Sequence, residues 1–236
     1  MIKIKNISRS VKSKLLFKNI SFNLPNNKII GLLGANGAGK TSLFKAISGL
    51  SKIDSGIIKF YEEDLHLMTL EERSSAGLNY VPQENSLFDD LSLQENLEAV
   101  LELRFKEISA DKTKQIKNLL DLMKLTDKAK TKSKFLSGGE KRKTEILRAI
   151  LLDSKFILLD EPFAGVDPIS VEEIIKILKN FKEDLGIFIS DHNFRDVMNV
   201  CDEIILLNQG ELMLQGTPNQ VKNNSLAKKL YFGELN

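Results

Sequence analysis

A chain of 236 residues with 42% hydrophobic and 28% charged side chains has an ordinary globular composition, which excludes a disordered or fibrous protein. The 34 Lys and Arg nearly cancel the 32 Asp and Glu, leaving +2, too balanced to point to a nucleic-acid surface; no nucleic-acid partner is expected. No run approaches the roughly 20 apolar residues of a membrane-spanning helix, and the N-terminus lacks a signal peptide's apolar core, so a cytoplasmic location is expected.

Ile2 to Ile7 and Ile20 to Leu24 alternate apolar with polar residues and read as strands, whereas Ile29 to Leu33 is a continuous apolar run that suits a fully buried strand. That run ends in Gly34-Ala35-Asn36-Gly37-Ala38-Gly39, after which Leu43, Ile47 and Leu50 recur at helical spacing. From about Leu91 to Leu152 the pattern turns helical: Ser92 with Glu95 forms a capping box, and Ile116, Leu119, Leu120 and Met123 mark another helix. Within this stretch Lys128 to Lys134 alternates Lys with Ala, Thr and Ser and reads as a solvated loop. Buried-strand runs return at Phe156 to Leu159, Ile187 to Ile189 and Ile204 to Leu207, with an amphipathic helix from about Ile169 to Phe181. The alternation predicts an α/β fold with a parallel sheet covered on both faces. Residues of about 1–90 and 153–236 would form its core, and about 91–152 an inserted helical subdomain. Cys201 sits in an apolar context without a second Cys or His at ligand spacing and reads as a buried structural residue.

Gly34 to Thr41 fits the phosphate-binding loop pattern, in which glycines let backbone N–H groups converge on phosphate oxygens at a helix N-terminus. In that pattern Lys40 reaches the β- and γ-phosphates and Thr41 a Mg²⁺ ion; the alternative is a tight turn with incidental Lys and Thr. Asp160 and Glu161 end a buried strand, where open α/β sheets bind ligands. Asp160 is a candidate to hold Mg²⁺ through water and Glu161 to act as general base, although a polar turn would also explain the pair. Ser137, Gly138 and Gly139 open a further helix and make either a second anion site or a plain N-cap.

In this order the motifs resemble the ATP-binding-cassette family. They comprise Walker A at Gly34 to Thr41, Gln83 in Tyr80-Val81-Pro82-Gln83, the signature at Leu136 to Glu140, Walker B at Phe156 to Asp160, Glu161, the Ala164 to Asp167 loop, and His192. The resemblance spans essentially the whole chain. It implies a P-loop NTPase core with an N-terminal antiparallel part, and ATP and Mg²⁺ as cofactors. It also implies two copies packed head to tail, each ATP lying between the Walker motifs of one and Ser137, Gly138 and Gly139 of the other. Gly34, Ala35, Asn36, Gly37, Ala38, Gly39, Lys40, Thr41 and Ser42 would hold the nucleotide. Thr41, Gln83 and Asp160 would serve the metal, Glu161 would be catalytic, and His192 would bond the γ-phosphate. His66 is assigned no role.

One departure is that the position from which the family stacks an aromatic ring on adenine aligns with Val11, while Phe17 matches a strand position. Within the family, residues 160–171, Ser190 to Arg195 and Tyr80 to Phe88 resemble the lipopolysaccharide-exporting branch, and Leu230 to Glu234 agree with it. That branch implies a homodimer under two integral-membrane permease subunits, peripheral on the cytoplasmic face of the inner membrane. The branched-chain amino-acid importers, with a similar tail, are the second reading, and a cytosolic non-transport cassette protein the third. Asp89-Asp90 stand where the first branch often carries basic residues.

Overall fold

The computed structural model describes residues 1–228. Strands β1 (Ile2–Val11) and β2 (Lys14–Leu24) form a hairpin turned at Lys12 and Ser13, both with positive φ, as two-residue hairpin turns require. Strand β3 (Ile29–Leu33) leads into helix α1 (Lys40–Ser48), followed by β4 (Ser55–Phe60) and β5 (Glu63–Asp64). Helix α2 (Leu70–Ala76) and β6 (Leu78–Val81) precede three helices, α3 (Leu93–Phe105), α4 (Ala110–Leu122) and α5 (Gly138–Leu151). The chain then alternates through β7 (Phe156–Asp160), α6 (Pro168–Phe181), β8 (Gly186–Ser190), α7 (Phe194–Val200), β9 (Glu203–Asn208), β10 (Glu211–Gly216) and α8 (Pro218–Asn223).

The strands make two sheets, an antiparallel one in the order β2-β1-β4-β5 and a mixed one in the order β10-β9-β3-β8-β7-β6. Every pairing in the second sheet is parallel except β10 with β9, so the predicted parallel sheet carries one antiparallel edge. Its inner strands are buried on both faces, and their alternate residues serve two different cores. Ile29, Leu33, Ile157, Leu159, Ile187, Ile189, Ile204 and Leu206 meet α3 to α7 on one face. Ile30, Leu32, Phe156, Leu158, Phe188, Ile205 and Leu207 meet α1 and the antiparallel sheet on the other. Phe44 of α1 stacks on Phe188 of β8 with ring centroids 4.6 Å apart, which anchors α1 against the sheet.

Helix starts follow local chemistry. Thr69 with Glu72, Ser92 with Glu95, Ser137 with Glu140 and Thr217 with Gln220 close capping boxes, and Asp167 caps α6 ahead of Pro168. Buried residues of α3, α4 and α5 belong to the same apolar cluster as one face of the large sheet, so the helical stretch packs on it. Among the described residues no helix is long and apolar enough to cross a membrane.

Candidate active site

The loop between β3 and α1 is shaped by glycines at points where a side chain has no room. Gly39, the N-cap of α1, has φ +103°, and a Cβ on it would lie 2.5 Å from the Leu16 carbonyl oxygen. A Cβ on Gly34 would lie 2.6 Å from the Leu207 carbonyl oxygen. The backbone therefore turns close against β2 and β9, while Ala35, Asn36 and Gly37 stay exposed. Thr41 and Ser42 lie half-buried on the first turn of α1. Lys40 folds over the loop, its Nζ donating to the carbonyls of Gly34 at 2.7 Å and Ala35 at 3.3 Å. Burial lowers the Lys40 pKa, and Glu161, Asp160 and Asp191 act against that shift, so the ammonium faces a group of carboxylates.

Asp160, fully buried at the end of β7, accepts a hydrogen bond from the Tyr80 hydroxyl on Oδ2 at 3.1 Å. Its Oδ1 is buried without a hydrogen-bond partner, as is the Ser190 hydroxyl on the neighbouring strand β8. Burial raises the Asp160 pKa; the hydroxyls of Tyr80 and, close by on β8, Ser190 oppose the shift, and the nearby charge of Glu161 adds to it. A buried carboxylate oxygen without a well-aligned donor is an unfavourable arrangement that a water-bearing cation would relieve, so the site fits Mg²⁺. Among the described residues no cluster of three or more His, Cys, Asp or Glu is arranged to hold a metal.

Glu161 leaves the strand with φ +48°, a left-handed backbone conformation in a residue with a Cβ. Its N–H donates to the Ser190 carbonyl at 2.6 Å, and its Oε2 accepts from Gln83 Nε2 at 2.8 Å. His192 Nδ1 lies 3.4 Å from the same oxygen. Gln83, Glu161 and His192, far apart in sequence, thus meet at one carboxylate. Asp191, fully buried beside His192, accepts from the N–H groups of Phe163 at 3.0 Å and Asn193 at 2.8 Å, locking the two loops together.

Ser137, Gly138 and Gly139 stand apart from this group, packed against the loop after β7 and the start of α6. A Cβ on Gly139 would lie 2.2 Å from Ser170 Oγ, and one on Gly138 3.3 Å from the Gly165 carbonyl oxygen. Ser137 caps α5, accepting from the Glu140 N–H at 3.3 Å.

Sequence reasoning missed Arg142. This α5 side chain is 6% exposed and donates to the carbonyls of Asp160 at 2.7 Å, Glu161 at 2.8 Å, Pro162 at 3.3 Å and Pro82 at 2.7 Å. It also pairs with the buried Glu145 carboxylate at 3.0 Å, which in turn accepts from the N–H and hydroxyl of Ser86. One guanidinium therefore joins the signature helix, the segment carrying both acids, and the stretch containing Gln83.

Val11 is 42% exposed at the hairpin end, whereas Phe17 is fully buried in the core and so cannot present a ring to a ligand. Cys201 is buried against β3, and burial pushes its thiol pKa well up. The lysines of the 128–134 stretch are exposed, as expected of a solvated loop, but three are cross-linked: Lys134 lies 2.7 Å and Lys132 4.0 Å from Asp90, and Lys128 lies 3.8 Å from Glu140. Residues 230–234 lie outside the described residues.

A buried strand, a glycine loop with an inward lysine, a helix, and an acid pair at the end of a second parallel strand define a P-loop nucleotide-binding protein. The chain belongs to the ABC transporter family, whose sequence profile matches residues 17–164, and is an ATP-binding, ATP-hydrolysing subunit of such a transporter. The lipopolysaccharide export system ATP-binding protein of Haemophilus influenzae is 41% identical to it over 230 residues, 97% of this chain and 95% of the relative. The crystal structure of the ADP conformation of an ATP-binding cassette of an ABC transporter superposes with a TM-score of 0.88 at 23% identity, covering 99% of both chains. A dimeric cassette in a post-hydrolysis state, bound to ADP and Pi, superposes with a TM-score of 0.81 at 24% identity over 92% of this chain and 99% of that one.

Proposed function

We propose that this chain is the motor of a lipopolysaccharide exporter: a homodimer seated under two integral-membrane permease subunits on the cytoplasmic face of the inner membrane. The observation that carries the motor reading is the convergence of Lys40, Asp160, Glu161, Gln83 and His192 at the end of β3 and β7. Near full-length similarity to an export ATP-binding protein supports the substrate.

In this reading the backbone N–H groups of residues 34–42 and the Lys40 ammonium bind the nucleotide phosphates. Thr41, Asp160 and Gln83 would hold Mg²⁺, whose bound charge offsets that of the phosphates. Glu161 orients a water molecule and takes its proton, its carboxylate held in place by Gln83 and His192. His192 donates to the γ-phosphate. Ser137, Gly138 and Gly139 of one copy meet the nucleotide held by the other, which explains why they lie away from the Walker residues of their own chain. Residues of about 1–90 and 153–236 act as the catalytic core, and about 91–152 as the helical subdomain that carries the signature.

Affinity purification from native membranes with mass spectrometry of co-purifying chains tests the reading. Two permease-like chains with bound lipopolysaccharide are expected. Amino-acid permeases in their place would move the chain to an importer, and recovery with ribosomes or DNA would end the transport reading.

A further inference from the structure

We propose that Tyr80 is a positioning residue for the metal-facing carboxylate: its hydroxyl holds one oxygen of Asp160 so that the other is presented to the cation. This rests on the assignment of Asp160 given above.

Strands β6 and β7 run parallel with Tyr80 opposite Leu158, which sets the Tyr80 ring beside the end of β7. The hydroxyl donates to Asp160 Oδ2 at 3.1 Å, and Oδ1 is left buried and unpartnered. An aspartate's terminal torsion is broad, so without a fixed donor the plane of the carboxylate would turn. One directed hydrogen bond holds that plane, with one oxygen on Tyr80 and the other turned away from it. A phenol ordinarily titrates at about 10, so at neutral pH the hydroxyl carries its proton and is a donor.

The surrounding framework makes this contact stiff. Pro82, two residues on, is held through its carbonyl by Arg142, which also holds the carbonyl of Asp160. Gln83, three residues on from Tyr80, bonds Glu161. One short segment therefore addresses both acids, Tyr80 the first and Gln83 the second. Hydrogen bonds to a metal's ligands from a surrounding layer of residues typically govern metal affinity by 10- to 100-fold, and a carboxylate acting through water belongs near the lower figure.

The test compares Tyr80→Phe and Asp160→Asn with the parent chain. Affinity for a fluorescent ATP analogue is titrated against Mg²⁺ concentration and measured separately in EDTA. Tyr80→Phe is expected to raise the Mg²⁺ concentration for half-maximal tight binding about 10-fold, with affinity in EDTA unchanged, and Asp160→Asn to shift the Mg²⁺ requirement at least as far. A shift in Asp160→Asn with Tyr80→Phe held within twofold of the parent would overturn the role of Tyr80 and leave Asp160 in place. No shift in Asp160→Asn would remove Asp160 from the metal site and the proposal with it. Equal weakening of Tyr80→Phe binding with and without Mg²⁺ would mark Tyr80 as merely structural and also overturn it.

Discussion

Replacing Arg142 by Met keeps an aliphatic stem of similar length and deletes the guanidinium, so the change isolates the polar hub. Five hydrogen bonds are lost, four to the carbonyls of Pro82, Asp160, Glu161 and Pro162 and one to Glu145. Glu145 is 4% exposed and would keep as hydrogen-bond donors the N–H and hydroxyl of Ser86, at 2.6 and 3.0 Å, with the Arg148 charge nearby. Removing one partner of a buried ion pair typically costs about 3–5 kcal/mol, because the remaining charge stays desolvated. Water can reach part of the exposed stretch around Gln83 and re-satisfy the Pro82 carbonyl, so the freed carbonyls add less than their full sum. At about 2–4 °C per kcal/mol for a chain of this size, Tm is expected to fall by about 6–20 °C. The chain has no Trp and only 3 Tyr, so far-UV circular dichroism under heat or urea is the suitable probe. Adding Glu145→Gln should recover part of the loss, since it removes the stranded charge. An Arg142→Met chain within about 1 kcal/mol of the parent would refute the reasoning, because it would mean the guanidinium is not the structural tie between these segments.

Glu161→Gln preserves shape and loses the proton acceptor, so ATP affinity should stay within about twofold while turnover falls at least ~100-fold; free turnover in a phosphate-release assay would remove Glu161 from catalysis. Lys40→Ala should weaken ATP binding by about 10- to 150-fold, the equivalent of one charge-assisted hydrogen bond of about 1.5–3 kcal/mol, and unchanged affinity in calorimetry would count against its phosphate contact. Asp160→Asn should stabilise the nucleotide-free chain at neutral pH by about 1 kcal/mol, even as it impairs Mg²⁺ use. The sign follows from the raised Asp160 pKa: the protonated acid favours the fold, and that contribution disappears as pH rises through the folded-state value, leaving a buried charge. A lower Tm for this variant at pH 7 would show that the carboxylate is better satisfied than its geometry indicates.

Much of the site was legible because its determinants are local. The run Ile29 to Leu33, the glycines after it and the helical spacing of Leu43 and Ile47 lie within twenty residues, and the structure forms strand, loop and helix there. Ser92 and Glu95 interact at i and i+3, as caps do, and they cap α3. The meeting of Gln83, Glu161 and His192 was not visible in spacing and came only from family resemblance, since it depends on sheet order. Arg142 escaped both routes. Nothing in the spacing of Lys141-Arg142-Lys143 marks a buried residue, yet Arg142 and Lys143 are buried and most of their acceptors lie on other elements. Strands β4, β5 and β10 escaped for the opposite reason: they sit at or near sheet edges with few or no buried residues, and β6 is four residues long, too short to show a period.

The five residues of β3 read nearly the same in either direction, Ile-Ile-Gly-Leu-Leu, with both faces dry, so hydrophobicity by itself cannot tell one register from the next. Gly31 supplies the missing information. A Cβ there would come within 2.5 Å of Val197 and 2.9 Å of Cys201 and Ile204, so any side chain in the spot against α7 and β9 would have to displace these three. A slip of one position would drive Ile30 or Leu32 into that spot and carry the following loop about 3.3 Å along the strand axis. The aim of the phosphate loop is thus set three residues upstream of it, by an atom that is not there. A graft of residues 34–41 onto another strand would bring the chemistry without the sighting, and Gly31→Ala is the smallest edit that would misdirect it.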